Sequence, residues 1–263
     1  MPFTRFGRRR RALEQPFADE WRRLLSSSMS HWSRLDDAER TRMEDLIRIF
    51  LVDKRWEAAN GFELTEAVRV QISAMACLLI LGLDYAAYGT VKWIVVHPTT
   101  VLRRGVRGIG VSGVVSDSPI PILGEASFDG PVVIAWDEAA SNARHPERGH
   151  NVVYHEFAHK LDMDDGMIDG TPVLEPAARQ RWIEVCTAVY EQVRGGRADP
   201  LLDDYAGVNP GEFFAVATEI FFDRPVALAH VYPDLYDVLR EFYRQDPAAR
   251  VGRAGSGSSA GPG

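Results

Sequence analysis

One pentapeptide limits what this chain can become. Residues 155–159 read HEFAH, inside YHEFAHKLD at 154–162. On a helix, His155 and His159 are four residues and about one turn apart, so both imidazoles lie on one face. Two nitrogens placed in this way can close on one zinc ion at about 2.0–2.1 Å each. Glu156 sits about 100° round the helix from His155. From there it reaches a water on the metal without ligating the metal. Two ligands and one general base are the division of labour of a metal-dependent hydrolase. The plain alternative is an amphipathic helix with two hydrogen-bonded histidines. Val152, Val153 and Tyr154 lead into the motif with apolar residues that anchor a buried helix.

A catalytic zinc needs a third protein ligand and an open fourth position. An HExxHxxGxxH pattern would put a histidine at position 165, where this chain has Asp165. His31, His97 and His230 lie in aromatic or apolar surroundings. His145 and His150 sit in a polar loop too close to the motif to fold back easily. No cysteine is in reach. The third ligand is therefore expected to be a carboxylate from a later helix. The segment DYAGVNPGEFFAVATEIFF at 204–222 offers Glu212 and Glu219, seven apart on one face with Ala215 and Val216. Two carboxylates on an apolar face are costly to bury without a cation or hydrogen bonds. Glu212 has a second reading. Asn209 is an N-cap type, Pro210 fits the first helical position, and Glu212 then closes a capping box. Asp162, three residues after His159, lies on the same side of the motif helix. It either orients a ligand from behind or forms an ordinary ion pair.

The rest of the chain reads as an α+β protein, rich in helix, with a small mixed β-sheet and a helical N-terminal region. At 263 residues it forms one large domain or two small ones. A net charge of −7 argues against a nucleic-acid partner. Residues 1–13 nevertheless carry five arginines and no acid, so residues 1–17 are expected to be a mobile basic segment. Residues 18–90 read as helical. Asp36 and Glu39 form a capping-box pattern, and Thr65 opens an apolar core helix. A catalytic domain is expected over 91–247. It holds strands at Val91–His97, Val111–Val115 and Val132–Trp136, with helices at 148–161, 176–194, 210–223 and 233–245. Pro131 cannot donate to a ladder, so the strand after it belongs at an edge. Such an edge, Val132, Val133, Ile134, Ala135 and Trp136, could hold an extended peptide by main-chain hydrogen bonds. Residues 248–263 are Gly- and Ser-rich and read as a disordered tail. The longest apolar run, Ala74–Leu83, is too short to span a membrane. With no apolar stretch after the arginines and only Cys77 and Cys186, the expected location is cytoplasmic.

GHNVVYHEFAHKLD, the preceding DGPVVIAW and the following Tyr205 with NPGEFFAV together resemble the Mlc titration factor A family of bacterial zinc peptidases. These are gluzincins with a catalytic domain similar to that of anthrax lethal factor. The resemblance covers most of residues 18–247 and implies a zincin-like metallopeptidase fold for the catalytic domain at 91–247. It implies one zinc per chain on His155, His159 and Glu212, with Glu156 as general base. It implies that Tyr205 is an active-site tyrosine that donates to the developing oxyanion. Lethal factor carries a further glutamate four residues after the ligand. Here that position is Val216, and Glu219 is the carboxylate placed to take that role. The implied activity is peptide hydrolysis of an aminopeptidase type, together with binding of a transcriptional repressor. The competing reading is a non-catalytic or gated regulatory protein that binds and sequesters a repressor of Mlc type.

Overall fold

Capping side chains decide where the helices of this protein begin. The computed structural model describes residues 5–99, 130–163 and 167–256. Helix α3 (Asp37–Asp53) starts at Asp36, whose carboxylate accepts from Glu39 N at 2.9 Å while the Glu39 carboxylate accepts from Asp36 N at 3.0 Å. Helix α4 (Glu66–Leu79) starts at Thr65, whose hydroxyl accepts from Val68 N. Asn151 opens α6 (Val152–Asp162) in the same manner, and Asn209 opens α8 (Pro210–Asp223). Proline fills the first turn of α7 (Pro176–Arg194), α8, α9 (Pro225–Val231) and α10 (Pro233–Tyr243). Its absent N–H costs nothing there. Four further helices complete the described set: α1 (Arg5–Glu14), α2 (Asp19–Ser28), α5 (Trp136–Arg144) and α11 (Pro247–Ser256).

The sheet has the order β1 (Arg55–Ala58), β2 (Trp93–His97), β3 (Val132–Ala135). Trp56 pairs with Ile94 and Ile94 with Val132, and these side chains share one face. The sequence suggests a mixed sheet, whereas the three described strands all run parallel. The expected strand at Val111–Val115 lies outside the described residues. Strand β1, RWEA, escaped sequence reading because it is only four residues long and has no β-branched residue to betray it. It also joins the two expected halves. The boundary expected at 90/91 falls between two strands that are hydrogen-bonded neighbours, and both halves contribute to one contiguous core.

Helix α6 lies at the centre. Its Phe157 meets Tyr88 at 5.0 Å and Phe50 at 5.8 Å between ring centroids. Tyr154 meets Phe222 of α8 at 5.6 Å. Lys160 donates to the Gly130 carbonyl at 3.0 Å, tying α6 to the approach of β3. Strand β3 is an edge among the described strands, as Pro131 requires, but Trp136 is the first residue of α5 rather than the end of the strand.

Residues 5–14 and 247–256 are more ordered than their composition suggests. Residues 5–14, expected to be mobile, form α1. Arg5 and Arg9 both grip the Asp53 carboxylate, at 2.6–3.1 Å. Tyr85 donates to the same carboxylate at 3.1 Å and stacks under the Arg9 guanidinium at 4.7 Å. The arginines thus have a buried partner that lies far along the chain. At the other end α11 runs into the expected tail, and buried Arg250 donates to Glu39 and Gln245, each at 2.9 Å. Among the described residues no helix is long and apolar enough to cross a membrane.

Candidate metal centre

Helices α6 and α8 pack against each other and bring three donor atoms to one point. His155 Nε2 is 3.2 Å from His159 Nε2 and 3.0 Å from Glu212 Oε2. His159 Nε2 is 3.5 Å from the same Glu212 oxygen. These edges can be tested against zinc. Tetrahedral bonds of about 2.0–2.1 Å separate two ligand atoms by roughly 3.3 Å. The observed edges, 3.0, 3.2 and 3.5 Å, bracket that value. Two imidazoles and one carboxylate, all at least largely buried, are also the donor types zinc prefers. The residues fit the metal.

The capping role read for Glu212 and its ligand role prove compatible. Asn209 Oδ1 accepts the Glu212 backbone N–H at 2.9 Å, as the first half of a capping box does. The Glu212 side chain does not complete the box. It turns to His155 and His159 instead. Burial raises the pKa of this carboxyl, but hydrogen bonds from His155 and His159 outweigh burial and hold it well below the usual range.

Glu219, one further turn and more along α8, stands behind His155. Its Oε1 is 2.7 Å from His155 Nδ1, and its Oε2 accepts the Asn151 backbone N–H at 2.5 Å. A proton on Nδ1 leaves the Nε2 lone pair facing His159 and Glu212. Three lone pairs then converge, and only a cation satisfies them. Without a metal a proton serves. Burial lowers the His155 pKa, but bonds to Glu212 and Glu219 raise it well above its ordinary value.

Glu156 is half-buried beside this triangle, and burial raises its carboxyl above the ordinary range against the pull of His155 and His159. Tyr205 lies on a short 3-10 turn, Asp204–Gly207, fixed by Asp203, which accepts from Tyr205 N at 3.0 Å. Its ring is 6.0 Å from that of His155. Burial raises the phenol pKa, and the Glu212 negative charge and a hydrogen bond with Glu212 raise it further. The tyrosine is therefore a neutral donor beside the site.

Asp162 is fully buried, but its bond goes to the loop beyond α6 rather than to a ligand. Oδ2 accepts from Gly170 N at 3.0 Å, while Oδ1 and the nearby His159 Nδ1 have no hydrogen-bond partner within the described residues. Sequence reading found every side chain at the donor triangle. It missed the glycines that let the loop approach α8. A Cβ on Gly170 would lie 2.4 Å from the Pro210 carbonyl oxygen, and one on Gly211 would lie 2.6 Å from Ile168 Cγ2. No local pattern marks either glycine.

Comparison with known proteins points to a metallopeptidase family. A family model described as glucose-regulated metallo-peptidase M90 matches residues 3–244. An uncharacterized protein, slr2042, of Synechocystis is 33% identical over 246 residues, covering 91% of this chain and 89% of its own. Mlc titration factor A of Escherichia fergusonii is 28% identical over 249 residues, with 92% of each chain covered. Mlc titration factor A of Serratia proteamaculans is 28% identical over 255 residues, covering 94% and 95%.

Proposed function

The chain belongs to the glucose-regulated metallo-peptidase M90 family, and on that premise we propose that it is a zinc peptidase that hydrolyses peptide bonds by activating water. One observation carries the reading. Three metal-ligating atoms from α6 and α8 converge at 3.0–3.5 Å, with Glu156 beside them and outside the donor set. Zinc held by His155, His159 and Glu212 supplies a Lewis acid that lowers the pKa of a water towards about 7.

The chain's own residues do the rest. Glu156 takes the proton of the attacking water and passes it to the leaving amine. Tyr205 donates its phenolic hydrogen to the oxyanion that develops on the substrate carbonyl. Glu219 keeps His155 in the tautomer whose Nε2 is free to bind. The edge that β3, Val132 to Ala135, presents among the described strands, with Trp136 opening α5 just beyond it, takes the backbone of an extended peptide as an added strand. An aminopeptidase-like substrate range is part of the proposal.

The names of the Escherichia and Serratia relatives favour a second role. The protein then also binds a transcriptional repressor of Mlc type, and such binding either accompanies hydrolysis or gates it.

The deciding measurement is zinc content of purified chain beside His155→Ala and Glu212→Ala, with aminoacyl chromogenic substrates assayed on the same samples. One zinc per chain, lost together with turnover in both variants, is the expected result. Zinc without turnover would leave the regulatory role alone. Absence of zinc from protein kept away from chelators would sink the peptidase reading.

A further inference from the structure

The loop after α6 is pinned from two sides. Gly170 N donates to the buried Asp162 carboxylate at 3.0 Å, and the Gly170 carbonyl accepts from the buried Trp182 indole at 2.9 Å. Gly170 has a φ of +74° and lies directly on Pro210. Such a backbone suits glycine. Gly211, next to Glu212, leaves room for Ile168. The loop is thereby locked onto the first turn of α8, beside a metal ligand.

The described part of this loop, from Met167 onward, presents apolar side chains to solvent. Met167 is 54% exposed, Ile168 42% and Val173 59%. Val208, two residues before Pro210, is 49% exposed. An isolated exposed apolar residue needs no explanation, but several carried on chain that Gly170 and Gly211 bring against the start of α8 can form a binding surface. A wall already held by a buried carboxylate and a buried indole also loses little freedom when a ligand arrives.

We propose that Met167, Ile168, Val173 and Val208 form an apolar subsite that selects a large apolar side chain, such as Leu, Met or Phe, next to the scissile bond. The proposal rests on the peptidase reading and names its substrate class. Ile168 is the inner residue, since Gly211 brings it against the turn that carries Glu212.

The test uses the full zinc-loaded chain carrying Glu156→Gln, so that a probe binds without being cut. The probes are two oligoalanine hexapeptides with a free N-terminus and a C-terminal label, carrying Leu or Ser at both the first and second positions, and anisotropy reads their affinity. The Leu probe is expected to bind about tenfold tighter. Adding Ile168→Ser, or Val173→Ser with Val208→Ser, brings the ratio to about one at unchanged zinc content. Equal affinity for both probes in the parent chain overturns the proposal, as does a Leu preference that survives both sets of variants. If Ile168→Ser disturbs α8 and zinc is lost, the Val173 and Val208 pair decides alone. Turnover by the unsubstituted chain is measured separately. No turnover with the Leu preference retained sinks the peptidase reading and keeps the subsite. Turnover without that preference sinks the subsite alone.

Discussion

Glu219 bridges His155 and the start of the helix that carries it. One carboxylate oxygen is 2.7 Å from His155 Nδ1, and the other holds the backbone N–H of Asn151, the cap of α6, at 2.5 Å. The same side chain therefore fixes a ligand's tautomer and anchors the helix end beneath it. Such supporting carboxylates set metal affinity almost as strongly as ligands do. Glu219→Ala is expected to weaken zinc binding by about 10–100-fold, measured by chelator competition. Glu219→Gln keeps only one acceptor oxygen for two donors and is expected to fall between the two. An unchanged zinc affinity in Glu219→Ala would remove this role.

Glu156 belongs to no ligand pair, so its loss separates chemistry from metal binding. Glu156→Gln is expected to retain one zinc per chain and to lower kcat by about 10²–10⁴-fold. Metal content and turnover read on one sample give both numbers.

Gly170 controls how close the loop comes to α8. Gly170→Ala places a methyl 2.4 Å from the Pro210 carbonyl and holds a non-glycine residue at φ +74°. The left-handed conformation alone costs about 1–2 kcal/mol, and the clash adds to it. Urea unfolding of the variant is expected to show a loss of at least about 2 kcal/mol, with weaker zinc binding because Pro210 leads into Glu212.

Asp53 gathers the N-terminal arginines. Burial alone would raise its pKa, but bonds from Arg5 and Arg9 hold it well below the carboxylate range. Asp53→Asn removes the charge that holds α1. Trypsin is then expected to cut within Arg8–Arg11 several-fold faster than in the parent chain. Stability falls by about 1 kcal/mol, since both arginines are partly exposed.

Asp223 gives the fold a pH signature away from the metal centre. Its carboxyl is buried, 3.2 Å from His31 Nε2, and burial pushes its pKa up to about 6 despite that histidine. The native state thus holds the Asp223 proton up to about pH 6, whereas the unfolded chain releases it near the ordinary 3.8. Stability from this group is complete below pH 4 and is lost as pH rises through 6. Relative to Asp223→Asn, the natural chain is expected to lose on the order of 2–3 kcal/mol between pH 4 and 7. Denaturation midpoints of both chains across that range provide the check, and a constant gap would contradict it.

Periodicity and capping carry most of the helical structure because both are local. Asp36 with Glu39, Thr65, Asn209 and the helix-opening prolines mark helix starts without any knowledge of the fold. The donor set is legible for the same reason. His155 and His159 must share a face if the segment is helical, and a buried Glu212 needs a cation. By themselves, residue types and spacings determined most of the central helices and which side chains could hold a metal. Only the tertiary structure decided what depends on contacts far apart in sequence. It set Glu219 against His155 rather than at the metal, sent Asp162 to the Gly170 backbone, tied Arg5 and Arg9 to Asp53, and drew RWEA into a parallel sheet. A four-residue strand with no β-branched side chain, an arginine with no local acid and a glycine needed for close approach have no local signature. Their conformations are stabilised by partners that the chain meets only on folding.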